Sequence, residues 1–237
     1  MVRAAAVLTL LAALIAWHAA VGSLPDFPLW LDVTVAAVAL IPATFALVWL
    51  VLPWREAGWA FAAAIVSVVA VFVLDRVGLD AAANFGKLAA TTLLAWWFLS
   101  YFERLSWVVI VAAIIPLVDS ISVWRGPTRH IVEERPEVFG ALSYAFPVPD
   151  EGSFQLGLPD LLFFALFLGA AARWALRVPL TWLALVASFG VTMWLAIYVD
   201  PLDLGGLPAL PLLSIGFLLA NADLLWRRLR QPEPDPA

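Results

Sequence analysis

Runs of about twenty apolar residues, cut apart by charges or by Pro/Gly clusters, recur along the whole chain. They cover about 4–22, 29–52, 57–74, 84–102, 105–124, 158–176, 178–199 and 207–227. A helix of that length matches the hydrocarbon thickness of a bilayer, and a run with almost no charge has no polar face to offer water. Composition agrees. The chain is 64% hydrophobic and 13% charged, against about half and about a quarter in soluble domains. Soluble and disordered classes are thereby excluded. The pattern predicts an all-α, polytopic transmembrane helix bundle of about eight spans, forming one integral-membrane domain over residues 1–230. The polar, proline-rich tail 231–237 reads as disordered. The first run follows Met1-Val2-Arg3 and reads as a retained helix, since no small-residue cleavage site ends it.

One connection is long, residues 125–157 between the fifth and sixth runs. Loops of that length in compact proteins are functional or disordered more often than incidental. Within it, the apolar stretch Phe139–Phe146 is too short to span and reads as a short helix or a strand at the membrane surface.

Inventory removes several chemistries. The chain has no cysteine, so disulfides, thiolate metal sites and a cysteine nucleophile are out. Neither H-E-x-x-H nor G-x-S-x-G occurs. The two histidines, His18 and His130, fall near a span end and in the long loop. A net charge of −5 is not that of a nucleic-acid binder. Thirteen tryptophans suit membrane interfaces.

The acids within spans are Asp32, Asp119, Asp160 and Asp223. Asp32 and Asp223 lie about one turn from a span end and read as interfacial groups reaching water. Asp119 is the only charge between Leu105 and Trp124, and Asp160 opens the next span. Consecutive spans run antiparallel, and both acids lie at the end nearest their connecting loop. They therefore share a membrane face and a depth. An ionisable group at membrane depth is costly and points to function. Two carboxylates sharing one proton can activate water against a peptide carbonyl. A proton relay, or a buried acid bonded to Ser120 or Ser122, fits the spacing too.

Four segments resemble the presenilin and signal-peptide-peptidase family of intramembrane aspartyl proteases. Ile115-Pro-Leu-Val-Asp119 resembles the first aspartate helix, with Val118 where the family has tyrosine. Gly157-Leu158-Pro159-Asp160, followed by Leu-Leu-Phe-Phe, resembles Gly-x-Gly-Asp, with Pro159 in place of the second glycine. Pro208-Ala209-Leu210 matches the Pro-Ala-Leu motif. Arg125-Gly-Pro-Thr-Arg resembles the Lys-Gly-Pro-Leu-Arg segment of the presenilin branch. The resemblance covers about 84–227; the first three spans agree only in number, and the family generally has nine. Prepilin peptidases, which also use two aspartates, are less similar, because basic residues usually follow their Gly-x-Gly-Asp.

The resemblance implies a presenilin-like fold and an intramembrane aspartic endopeptidase. Asp119 and Asp160 would be the catalytic pair. Gly157, Leu158, Pro159, Pro208, Ala209 and Leu210 would border the substrate cleft. No metal or organic cofactor is implied. The partners would be transmembrane segments or signal-peptide remnants and membrane lipid, in a prokaryotic plasma membrane. Substrate would pair as a strand with a short edge, either around Gly140–Phe146 or just before Pro208. The alternatives from the residues alone are a proton-coupled transporter or channel using the two acids as a relay, and a non-catalytic membrane scaffold. Eight basic residues fall on the N-terminal face and five on the other, which favours the N-terminal face in the cytoplasm; the presenilin-like loop implies the reverse.

Overall fold

A computed structural model describes residues 2–56, 58–125, 136–149, 152–199 and 207–230. Helix lies over each of the eight apolar runs. These are α1 (Val2–Ala20), α2 (Leu29–Val35) continuing into α3 (Ile41–Val51), α4 (Ala60–Arg76), α5 (Asp80–Ser100), α6 (Leu105–Arg125), α8 (Leu158–Arg173), α9 (Val178–Tyr198) and α10 (Leu210–Arg230). A short helix, α7 (Pro136–Ala141), precedes two strands, β1 (Ser143–Pro147) and β2 (Ser153–Gly157). Of the described residues 82% are helical, so the all-helical expectation needs one amendment, the hairpin. The stretch Phe139–Phe146 supplies both the end of α7 and most of β1.

Among the described residues, five helical segments are long and apolar enough to cross a bilayer: Val2–Ser23, Leu29–Trp54, Leu105–Val123, Val178–Tyr198 and Leu210–Arg230. This is the character of a multi-pass integral membrane protein. The others differ for plain reasons. Helices α4 and α8 have 17 and 16 residues, or roughly 25 Å of rise against about 30 Å of hydrocarbon. Helix α5 is long enough, but Asp80, Asn84 and Lys87 load its first two turns with polar groups. Residues 126–133 with His130, residues 200–206 ahead of Leu207 and Pro208, and the tail 231–237 lie outside the described residues.

Between α2 and α3 the helix widens to a π turn over Ala36–Leu40. Pro42 follows immediately. Proline has no N–H and its ring would crowd the carbonyl four residues back. The extra residue in the turn absorbs both, and the two pieces run on as one span.

Helix α8 is the centre of the bundle. Leu161 and every residue from Phe164 to Ala171 are buried. Phe164 meets Phe45 of α3 with ring centroids 3.9 Å apart, and Phe167 stacks on Phe217 of α10 at 4.8 Å. On one side α8 packs along α5, which in turn packs along α4. On the other it meets α9 and α10, and α6 lies mainly against α10. Opposite the hairpin, Arg177 at the start of α9 makes a bidentate ion pair with Asp223 of α10 at 2.6 and 2.7 Å. That exposed pair is worth little; it leaves Asp223 about half exposed to the surroundings.

The strands pair antiparallel, Ser143 opposite Gly157 and Ala145 opposite Gln155. Beyond the ladder ends, Leu158 N–H donates to Leu142 O and Val148 N–H to Gly152 O. In an antiparallel ladder, bonded and non-bonded pairs alternate. Tyr144 and Phe146 therefore bond β2 through their backbones. Ser143, Ala145 and Pro147 turn their backbone groups away from β2, and Ser153, Gln155 and Gly157 turn theirs away from β1.

Candidate active site

Asp160 is the third residue of α8, after Gly157 at the N-cap, Leu158 and Pro159. Its carboxylate accepts a hydrogen bond from the Gly157 backbone N–H. That is the returning half of a capping box, in which the third helical residue satisfies the N-cap N–H. The ladder phase leaves this N–H free for it. A Cβ on Gly157 would lie 3.2 Å from the Asp160 Oδ2. Gly157 has φ −58°, which any residue adopts. Its role is close approach to the carboxylate. Pro159 occupies the second helical position, where the missing N–H costs nothing and the fixed φ suits the helix; its ring is exposed.

Asp119 sits on α6, six residues before the helix end. Its neighbours Leu117, Val118 and Ile121 are exposed, at 66%, 53% and 64%, so they form a lipid-facing flank. The carboxylate turns inward. Its Oδ2 accepts from the Leu210 N–H at 3.2 Å. Leu210 is the first residue of α10, and the N–H groups of a first turn have no partner within their own helix. Asp119 thus caps α10 from another helix, at the end where the helix dipole favours negative charge.

The Pro-Ala-Leu segment is therefore in contact with the first aspartate. Ala209 and Leu210 are buried. Pro208 lies just outside the helix, and Pro211 is the proline of its first turn. The helix thus starts three residues into the apolar run that begins at 207, within the usual spread of helix ends. Asp160 lies within range of the charge on Asp119. The two acids, the Gly157–Asp160 turn and Leu210 thus meet where the hairpin, α6 and α10 converge.

Two residues depart from their sequence reading. Asp32 is only 4% exposed and does not reach water as an interfacial acid would. A seven-residue helix and the π turn after it are folded into the bundle, and Asp32 goes with them. The edge expected around Gly140–Phe146 is also not open. Asn84 of α5 is buried and grips Ala145 by both backbone groups: its Nδ2 donates to Ala145 O at 2.7 Å, and its Oδ1 accepts from Ala145 N–H at 2.9 Å. Lys87 Nζ donates to Gly140 O and Ser143 O at 2.8 and 2.9 Å. Trp17 Nε1 of α1 donates to Pro147 O at 2.9 Å. Sequence reasoning missed all three. The available signal was Lys87, a lone cation inside an apolar run, with Asn84 three residues earlier on the same helical face.

Beside this cluster, Tyr144 is buried and its phenol is pushed up from 10.0 to about 12 by that burial. It packs edge-on against Phe85 and Phe146. Phe85 in turn meets His18 at 5.4 Å. His18 is thus an aromatic packing residue here. No protein-family model, curated protein or solved structure matches the chain.

Proposed function

We propose that this protein is an intramembrane aspartic protease of presenilin-like fold, with about eight spans, in a prokaryotic plasma membrane. Asp119 and Asp160 are its catalytic pair. The observation that carries the reading is the convergence of the two acids. One is seated on the turn that ends a strand, and the other is bonded to the Pro-Ala-Leu segment at Leu210.

One carboxylate, ionised, takes a proton from water as the oxygen attacks the scissile carbonyl. The other, protonated, hydrogen-bonds the carbonyl oxygen. The C–N bond then breaks as the leaving amine takes a proton, and two carboxyl groups holding one proton between them are restored.

A helical substrate hides its carbonyls in its own hydrogen bonds, so it must unwind, and an extended peptide needs new partners. The outward edge of β2 supports strand addition there. Among the described residues, the backbones of Ser153 and Gln155 have no partner on that edge, and it leads directly to Gly157 and Asp160. A substrate strand laid along it would present a carbonyl to the pair.

The test is incubation of the purified protein with transmembrane peptides, read by product mass. Asp119→Ala and Asp160→Ala should each lower cleavage by at least about 100-fold, the ordinary contribution of an acid–base group, while remaining folded. The wild-type rate should rise and then fall with pH, since one carboxyl must be ionised and the other protonated. Full activity in either folded variant removes the dyad. Proton flux through reconstituted protein that cleaves nothing would favour the transporter reading.

A further inference from the structure

Strand β1 has an outward edge that would ordinarily bind another strand. Its outward carbonyls and the Ala145 N–H are instead held by side chains. Ala145 exchanges two hydrogen bonds with the Asn84 amide, the pair of bonds a neighbouring strand residue would make. The Ser143 carbonyl goes to Lys87 and the Pro147 carbonyl to Trp17. Pro147 has no N–H to satisfy. An edge closed in this way cannot template a second chain.

The same contacts tie the hairpin to α5. Helix α5 is also the helix to which Asp160's own support is locked. Trp96 Nε1 donates to Ala165 O at 3.2 Å, and Arg173 Nη1 to Leu99 O at 2.7 Å. Gly169 lets α8 approach α5 so closely that a Cβ there would lie 2.9 Å from Leu99 Cδ2. One rigid helix thus carries the strand edge at one end and braces the aspartate helix along its length.

We propose that Asn84, assisted by Lys87, is a positioning residue that fixes the hairpin in register with Asp160 and closes β1, so that substrate pairs with β2 in one register. This rests on the protease reading above. Without Asn84, Ala145 loses its tie to α5 while Lys87 still holds Ser143, and β1 gains an open edge at Ala145, away from Asp160. Substrate then pairs in more than one register. Because side chains alternate across a strand, allowed slips are by two residues.

The experiment has two arms on the full-length protein. Hydrogen exchange of peptides covering Ser143–Pro147, without substrate, reads the clamp. Product mass and steady-state kinetics on a transmembrane peptide read the register. Asn84→Ala should speed exchange at Ala145 by roughly tenfold or more, as expected for the loss of at least one net hydrogen bond. It should lower kcat more than it changes KM and add products offset by two residues. Lys87→Arg, which retains donors for both carbonyls, should keep the wild-type products. If Asn84→Ala does not fold, Asn84→Leu takes its place, since it keeps a similar side-chain volume and removes both the donor to Ala145 O and the acceptor for Ala145 N–H. Unchanged exchange in the folded variant overturns the clamp. Faster exchange with an unchanged product pattern and kcat overturns the positioning role. A wild-type protein that cleaves no peptide sinks the protease reading and the register claim together, while the exchange arm still decides whether Asn84 closes the edge.

Discussion

The two aspartates are mounted in opposite ways. Asp160 stands at the start of the most enclosed helix of the bundle, packed by Phe45, Phe189 and Phe217 and braced on α5. Asp119 stands on a helix that presents Trp107, Ile110, Ile114, Leu117, Val118 and Ile121 outward. Among the described residues, that helix is buried along Leu105, Val108 and Ala112, and its acid reaches inward to the backbone N–H of Leu210. Movement of α8 would disturb close packing on several sides. Movement of α6 would cost few buried contacts, because its outer face meets lipid, which is as apolar as its own side chains. One carboxyl is thus held by the core, and the other is held at the edge by a helix cap.

The largest effect should separate these mounts by stability. Gly169→Leu forces a side chain into the space of Leu99 and Trp96. It should destabilise by about 1–3 kcal/mol through overpacking, read as a lower melting midpoint in detergent. Ile114→Ala on the exposed face of α6 should stay within about 0.5 kcal/mol. Equal losses in the two variants would erase the contrast.

The next effect falls on Asp160 alone. Gly157→Ala keeps an allowed backbone but puts a methyl 3.2 Å from the carboxylate oxygen. The carboxylate must shift by a few tenths of an ångström. The expected result is a roughly tenfold lower kcat, given that 1 Å misplacements cost about 100-fold, with melting nearly unchanged. A variant as fast as wild type would show that the close approach at Gly157 is not used in catalysis.

Pro159→Gly should be milder. It frees the unfolded chain and should lower stability by roughly 0.5–1 kcal/mol. Cleavage of a peptide panel should be equal or broader, since a glycine-supported turn adapts more readily. Loss of every cleavage in a folded variant would make Pro159 a required part of the site.

The smallest effect is a pH dependence at the hairpin. The folded protein holds the Tyr144 phenol neutral up to about 12, whereas the unfolded chain releases that proton from 10.0. A folded pKa above the unfolded one gives stability that is present below pH 10 and is lost as pH climbs toward 12. Tyr144→Phe should flatten this part of the melting curve. A slope unchanged by the substitution would assign it to other groups.

Periodicity, charge and the spacing of the acids were legible in the chain because each is a local or one-dimensional property. Apolar runs demand helix wherever backbone groups must be satisfied without water. Alternation of direction put Asp119 and Asp160 near one face, and the same alternation brought Pro208-Ala209-Leu210 to it. The hairpin was only half visible, as a short apolar stretch, because the alternation of β2, Ser-Phe-Gln-Leu-Gly, lasts only five residues and runs straight into the apolar run of α8. Three matters belonged to the tertiary structure alone. Asp32 is buried because it lies with Val33 on the inward side of α2, while Leu29 and Trp30 stay exposed, which no distance from a span end reveals. Asp119 finds Leu210, 91 residues away in sequence, because α6 lies on α10. Asn84, Lys87 and Trp17 close β1 because α5 and α1 run past its outward edge, and a side chain's partner 53 to 130 residues away is set by packing that no local pattern encodes.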